Sequence, residues 1–100
     1  MGRATKRTYF LLAPKEKLVK IGESIEPTHR ITQLRLMNAT PVEALAVTDA
    51  SEKELHQRFS HLRHHGEWFK VSEEIAEYLQ TNEFPLAAER LRKVKDALYT

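Results

Sequence analysis

The sequence predicts an α+β domain in which a small, largely antiparallel sheet is flanked by helices. Two runs rich in aromatic and apolar residues, 8–12 and 18–22, flank a turn at Pro14 and predict a β-hairpin. Segments with helical periodicity follow, giving the order strand, strand, helix, strand, helix, short strand, helix, helix. We expect three strands, and a short fourth one if the run that opens at Trp68 pairs with them.

Length and composition predict a single domain over residues 1–100, with a core at about 8–80 and a last helix at about 85–98 that begins at Pro85. The 41% hydrophobic and 30% charged content is typical of a soluble globular protein. The chain has no cysteine, which excludes disulfides and thiolate zinc sites and favours an intracellular, cytoplasmic location. No apolar run has the length of a transmembrane helix.

Positive charge is concentrated in the first third of the chain. Residues 1–35 hold eight Lys or Arg against three Glu, which gives this segment a net charge of +5. The whole chain has a formal net charge of +2. A basic segment favours a polyanionic partner, although a solvated surface without a partner is as common.

The first predicted helix directs a charged side chain toward the core. Pro27 suits the first turn of a helix that runs to about Met37, with Ile31 and Leu34 in its apolar stripe. Arg30 lies within about 40° of Leu34 on the helical wheel. A guanidinium on the core side needs a partner or a ligand. A third strand is expected over 42–48.

The stretch from Glu52 to Phe69 predicts half of a polar site. It reads as one amphipathic helix that Gly66 ends as a left-handed C-cap, before a short strand that opens at Trp68. Its apolar stripe consists of Leu55, Phe59 and Leu62. Its polar edge consists of Glu52, His56 and Arg63.

Five polar residues on the hairpin, the first helix and the central helix stand out in order and spacing: Tyr9, Lys20, Arg30, Glu52 and His56. Together with Lys20-Ile21-Gly22, the helix from Glu52 to Phe59 and the Gly66-Glu67-Trp68-Phe69 turn, they resemble the signature of the GIY-YIG nuclease superfamily. The pattern is most similar to its phage-type DNA-binding subfamily, related to a meiotically up-regulated fungal gene, and covers residues 8–80. Two departures are that Arg7-Thr8-Tyr9 keeps only the tyrosine of Gly-Ile-Tyr, and that Lys20 replaces the second tyrosine.

This resemblance implies a small metal-dependent endonuclease that hydrolyses DNA phosphodiester bonds. Glu52 would hold a single Mg²⁺ or Mn²⁺, and Arg30 would contact the scissile phosphate. Tyr9 would take or relay the proton of the attacking water, with Lys20 favouring its phenolate form or acting as the base itself. His56 would orient the water or contact phosphate, and Glu67 would add to the metal site.

The expected partner is DNA, bound by its phosphates with little base readout in a bacterial or phage setting. Nucleases of this kind often take their specificity from a protein partner or an appended domain, which leaves room for a protein partner or a homodimer. The candidate phosphate-contacting residues are Lys6, Arg7, Lys15, Lys17, Arg35 and Arg63.

Other interpretations remain open. The chain fits a non-catalytic nucleic-acid-binding module, or a protein-interaction domain that uses the apolar side of its last helix. Tyr9 alone is typical of a core aromatic. Arg30 and Glu52 fit a structural ion pair. His61 and His65, at i and i+4, have the spacing of zinc ligands.

Overall fold

The computed structural model of the protein describes residues 5–81 and 88–99. The strands are β1 (Arg7–Ala13), β2 (Leu18–Ser24), β3 (Glu43–Thr48), β4 (Arg63–His65) and β5 (Trp68–Lys70). The helices are α1 (Pro27–Met37), α2 (Glu52–Arg58), α3 (Glu73–Thr81) and α4 (Ala88–Tyr99), and a 3₁₀ turn spans Ser60–Leu62. The predicted α+β class and the N-terminal hairpin are confirmed.

The sheet is larger than the expected three or four strands. Five strands pair antiparallel in the order β3-β1-β2-β5-β4. The added strand, β4, lies in the stretch predicted as the end of the central helix. That helix already ends at Arg58. Phe59, whose ring is buried, has left helical geometry, and the chain passes through the 3₁₀ turn into β4. Gly66 has φ +53°, as expected, but it serves the tight β4–β5 turn rather than a helix C-cap.

Alternation along β1 divides the core into two layers. Tyr9 and Leu11 point to one face of the sheet, where α1 covers them with Ile31 and Leu34. Phe10 points to the opposite face, where α2, α3 and α4 pack over it. The fold therefore places α1 and α2 on opposite sides of β2.

The helix caps and the last helix follow the sequence closely. Ser51 Oγ accepts a hydrogen bond from the Glu54 amide, and Ser72 Oγ accepts one from the Ile75 amide. Pro85 lies outside the described residues. In α4 the apolar side is turned inward, with Val94 and Ala97 buried, so the expectation that an exposed apolar side of this helix serves protein interaction is wrong.

The shortness of β5 leaves one edge of β2 open. β5 pairs with Leu18, Val19 and Lys20 alone, and a last backbone hydrogen bond joins the Ile21 amide to the Glu67 carbonyl at 2.9 Å. Beyond that point, β2 pairs with β1 on one side, and no strand among the described residues pairs with its other edge. In the described parts of the chain, no helix is long and apolar enough to cross a membrane.

Candidate functional site

Tyr9 reaches the open edge of β2 because the residue opposite it is a glycine. The β1–β2 register pairs Tyr9 with Gly22. A methyl group at Gly22 would lie 2.6 Å from Tyr9 Oη and 2.7 Å from Cζ, well inside van der Waals contact. The ring therefore lies across the backbone of β2, and its hydroxyl is held at the free edge of the strand.

Gly22→Ala should destabilise the protein by about 1–3 kcal/mol, because the added methyl group has to displace the Tyr9 ring from a packed position. Urea unfolding measures the effect. In a Tyr9→Ala background the same substitution should cost much less, since the clashing ring is gone. Equal costs in the two backgrounds would show that the Tyr9–Gly22 contact does not determine the role of this glycine.

Glu67, in the β4–β5 turn, lies between Lys20 on β2 and Tyr9 on β1. Its Oε1 is 3.1 Å from Lys20 Nζ and 3.1 Å from the position a Gly22 methyl group would take, next to the Tyr9 hydroxyl. Lys20 is largely buried and its ammonium lies 5.5 Å from the centre of the Trp68 ring. The sequence predicted Glu67 only as an addition to the metal site, whereas the structure places it between Lys20 and Tyr9.

α2 brings Glu52 and His56 to the same edge. His56 Nε2 lies 2.7 Å from the Ile21 carbonyl, which only accepts hydrogen bonds, so this ring nitrogen carries the hydrogen. Glu52 Oε1 lies 3.7 Å from the same nitrogen. The His56 ring packs on the buried ring of Phe69 with centroids 5.0 Å apart. His56 is thus fixed by the sheet on one side and by the core on another.

The electrostatics of Glu52 indicate a surplus of negative charge. Burial raises the pKa of Glu52 above its ordinary value, and the neighbouring Glu67 carboxylate raises it further. The nearby His56 opposes these effects. Two carboxyl groups close enough to share a hydrogen bond favour either a proton or a cation between them.

Tyr9 is neutral at physiological pH. Burial raises the pKa of its hydroxyl above the ordinary value, while a hydrogen bond from Arg30 acts in the opposite direction. The expectation that Lys20 favours the phenolate form is therefore wrong, because Lys20 is paired with Glu67 and burial dominates. Arg30 lies beside Tyr9, and the ion pairs of the described residues do not join it to Glu52.

The six side chains that meet at the open edge of β2 are called the edge cluster below: Tyr9, Lys20, Arg30, Glu52, His56 and Glu67. Tyr9, Lys20 and Arg30 come from the α1 side of the sheet, and Glu52 and His56 come from the α2 side. Glu67, from the β4–β5 turn, connects the two groups. The arrangement offers cationic, acidic and hydrogen-bonding groups to one ligand.

The donor set decides which metal ions would fit. Within residues 5–81 and 88–99, no group of three or more His, Asp or Glu side chains is arranged to hold a metal ion. Zinc sites require three or four protein ligands, so zinc does not fit. Mg²⁺ is held by one or two carboxylates with waters filling its shell, and Glu52 with Glu67 supplies that donor set. His61 pairs with Glu74 at 2.7 Å and His65 lies against His64, so the predicted His61–His65 zinc pair is not formed.

The remaining predicted phosphate-contacting residues are not brought together. Lys6 lies 3.9 Å from Glu23, and Arg7 is hydrogen-bonded to Asp49 at 2.9 Å. Lys15 and Lys17 occupy the β1–β2 turn, at the opposite end of β2 from Gly22. Arg35 is exposed on the last turn of α1. Arg63 alone reaches a groove beside the edge cluster.

That groove, called the α2 groove below, is an open depression of about 630 Å³ that includes two members of the edge cluster. It is lined by Glu23, Glu52, Lys53, His56, Gln57, Ser60 and Arg63. Sequence reasoning missed Glu23, Lys53, Gln57 and Ser60. The sequence did contain a signal for Glu23. Strand alternation places Glu23 on the same face of β2 as Ile21, and Ile21 packs in the core on the α2 side of the sheet.

A protein-family model matches residues 6–96, and its description is the T5orf172 domain. The chain belongs to the T5orf172 domain family. This match overturns the resemblance to the GIY-YIG nucleases, which was assembled from short motifs with structural explanations of their own. In the T5orf172 domain, Lys20-Ile21-Gly22 is a strand whose glycine admits the Tyr9 ring, and Gly66 serves a tight turn. The searches of curated proteins and of solved structures returned no match.

Proposed function

We propose that this T5orf172 domain binds DNA at the edge cluster and hydrolyses its phosphodiester bonds with the help of one divalent cation. The observation that carries the proposal is the pair of adjacent carboxyl groups, Glu52 and Glu67, near the Tyr9 hydroxyl to which the Arg30 guanidinium is hydrogen-bonded. The family assignment agrees with a role that concerns nucleic acid.

A cation explains how acidic and phosphate-binding groups can work at one place. Two carboxylates repel a phosphate, so a site that served phosphate binding alone would gain from losing them. A divalent ion held by Glu52 and Glu67 would neutralise their two negative charges. When bound, Mg²⁺ or Mn²⁺ supplies charge stabilisation at the phosphate oxygens and lowers the pKa of a coordinated water.

The side chains of the edge cluster have complementary roles in this chemistry. The planar Arg30 guanidinium can hold two oxygens of the scissile phosphate. The neutral Tyr9 hydroxyl can accept a hydrogen bond from the attacking water and pass the proton that this water loses to solvent. As the new phosphorus–oxygen bond forms, the bond from phosphorus to the leaving oxygen breaks, and that oxygen takes a proton from solvent. His56, fixed on the Ile21 carbonyl, lies 3.7 Å from Glu52 and favours the charged form of that carboxyl group, the form that binds a cation.

Arg30→Lys tests the proposal on an end-labelled DNA duplex incubated with Mg²⁺, with Mn²⁺ and with EDTA. The wild type should produce shortened strands in either metal and none in EDTA. The lysine variant should lower the cleavage rate by about 10²-fold, because it keeps the charge but loses the two parallel hydrogen bonds. Arg35→Lys, on the exposed last turn of the same helix, is the matched control and should cleave like the wild type.

A second candidate function is binding of nucleic acid without cleavage. It is favoured by the partners that the polar groups already have within the protein, Lys20 with Glu67 and His56 with the Ile21 carbonyl, which form a network that is satisfied without a ligand. This candidate predicts binding that weakens steeply with salt, and intact duplex in every metal. Metal-dependent shortening of the duplex would exclude it.

A further inference from the structure

We propose that the α2 groove holds the phosphate backbone of duplex DNA next to the phosphate at the edge cluster, and that Arg63 binds one flanking phosphate there. This inference deepens the proposed function, because it assigns the substrate contact beyond the reacting group. It depends on the edge cluster being the phosphate site and does not depend on cleavage.

The position of the groove is the first argument. It begins at Glu52 and His56, which also belong to the edge cluster, and continues along α2 past Gln57 and Ser60 to Arg63. From residue 53 to residue 57, within α2, the helix rises by about 6 Å, whereas successive phosphates of one DNA strand advance by about 3.4 Å along the duplex axis. A strand whose phosphate lies at the edge cluster therefore has neighbouring phosphates within reach of the groove.

The state of Arg63 is the second argument. Its guanidinium lies over the buried Phe69 ring, 5.4 Å from the ring centre, which holds the side chain in a defined orientation. The ion pairs of the described residues include neither Arg63 nor Lys53, so both cations are available to an outside anion. A preoriented arginine loses less conformational entropy on binding a phosphate than a mobile one.

The lining indicates which form of nucleic acid fits. Single-strand-binding surfaces combine positive charge with aromatic rings on which bases stack. Among the described residues that line the groove there is no Phe, Tyr or Trp, and Phe69 is fully buried beneath Arg63. Gln57 and Ser60 offer hydrogen bonds suited to phosphate and sugar oxygens. The groove therefore matches the outside of a duplex, without base readout.

The test is binding of a short fluorescent duplex, measured by anisotropy at a low, fixed Ca²⁺ concentration over a salt series, for the wild type and Arg63→Gln. Ca²⁺ takes carboxylate ligands as Mg²⁺ does, and it would neutralise Glu52 and Glu67. The variant should bind about five- to tenfold more weakly at low salt, and the slope of log K against log salt should fall by about 0.9, the value for one lost phosphate contact. Arg63→Lys keeps the charge and should keep the salt slope. Arg92→Gln, an equal charge loss on the exposed side of α4, should change affinity by less than about twofold.

Each alternative result decides a definite point. Unchanged affinity and salt slope in Arg63→Gln would overturn the assignment of the groove, even if the wild type cleaves DNA. Tighter binding of a single strand of the same length would overturn the duplex assignment, and so would no binding by the wild type. Arg63-dependent binding without cleavage in any metal would uphold the groove and overturn the hydrolase proposal. Thermal melting of Arg63→Gln confirms that the variant is folded.

Discussion

Replacing Glu52 with glutamine is expected to lower metal-dependent DNA cleavage by at least about 10²-fold, because an amide oxygen holds a divalent cation far less well than a carboxylate. Glutamine has nearly the same shape, so α2 and the contact between His56 and the Ile21 carbonyl should be retained. Initial cleavage rates at saturating Mg²⁺ measure the effect. Glu54→Gln, an exposed carboxylate on the same helix, is the matched control and should leave the rate unchanged.

The same substitution should stabilise the protein at neutral and alkaline pH. Because burial and Glu67 raise the pKa of Glu52 in the folded state, the protein loses stability as the pH rises from the ordinary carboxyl range through that raised pKa. Glutamine removes this loss. The melting temperature in EDTA at pH 8 should therefore be higher for Glu52→Gln than for the wild type, and the difference should shrink toward pH 4. A variant that melts lower at pH 8 would show that the carboxylate stabilises the fold.

Phe69→Ala is expected to reduce the free energy of unfolding by about 3–5 kcal/mol, the usual cost of deleting a large aromatic side chain from a core. Phe69 is fully buried in β5, the strand that joins β4 to β2. Its ring also lies under His56 and Arg63, at 5.0 Å and 5.4 Å. The cavity would therefore loosen the edge cluster and the α2 groove at once. Urea unfolding at equilibrium measures the loss.

Two control variants show whether the stability loss in Phe69→Ala comes from lost core packing or from substitution in general. Leu36→Ala, on α1 with 82% of its side chain exposed, should change stability by less than about 0.5 kcal/mol. Phe69→Leu, which refills much of the cavity, should recover a large part of the lost stability. A loss below about 1 kcal/mol in Phe69→Ala would mean that Phe69 does not connect the hairpin to the core as described.

The sequence was sufficient for the elements whose local signals agree with their packing. The β1–β2 hairpin has alternating apolar residues and a proline turn, and α1 begins at Pro27 as predicted. In the central segment, periodicity predicted a helix that is too long. Leu55, Phe59 and Leu62 keep helical spacing although α2 ends before Phe59 and a 3₁₀ turn follows. β4 consists of three residues without apolar alternation, so the sequence contains no strand pattern there that would argue against a longer helix.

The sequence predicted which side chains lie near one another at the edge cluster better than it predicted their contacts. Order and spacing selected Tyr9, Lys20, Arg30, Glu52 and His56, which the fold brings to one edge. The ion pair between Lys20 and Glu67, and the burial that keeps Tyr9 protonated, depend on the β2–β5 register and the tight turn, which no local pattern specifies. The same holds for Arg63, which reaches the α2 groove from a strand and not from the helix on which periodicity placed it.

Cleavage of supercoiled plasmid DNA by the wild type and by Glu52→Gln, compared side by side in Mg²⁺, in Mn²⁺ and in EDTA, tests the proposed hydrolysis. We expect nicked and linear plasmid from the wild type in either metal, intact plasmid in EDTA, and intact plasmid from the variant throughout. Plasmid that stays supercoiled with the folded wild type in both metals, or a variant that cuts as fast as the wild type, would contradict the proposed hydrolysis.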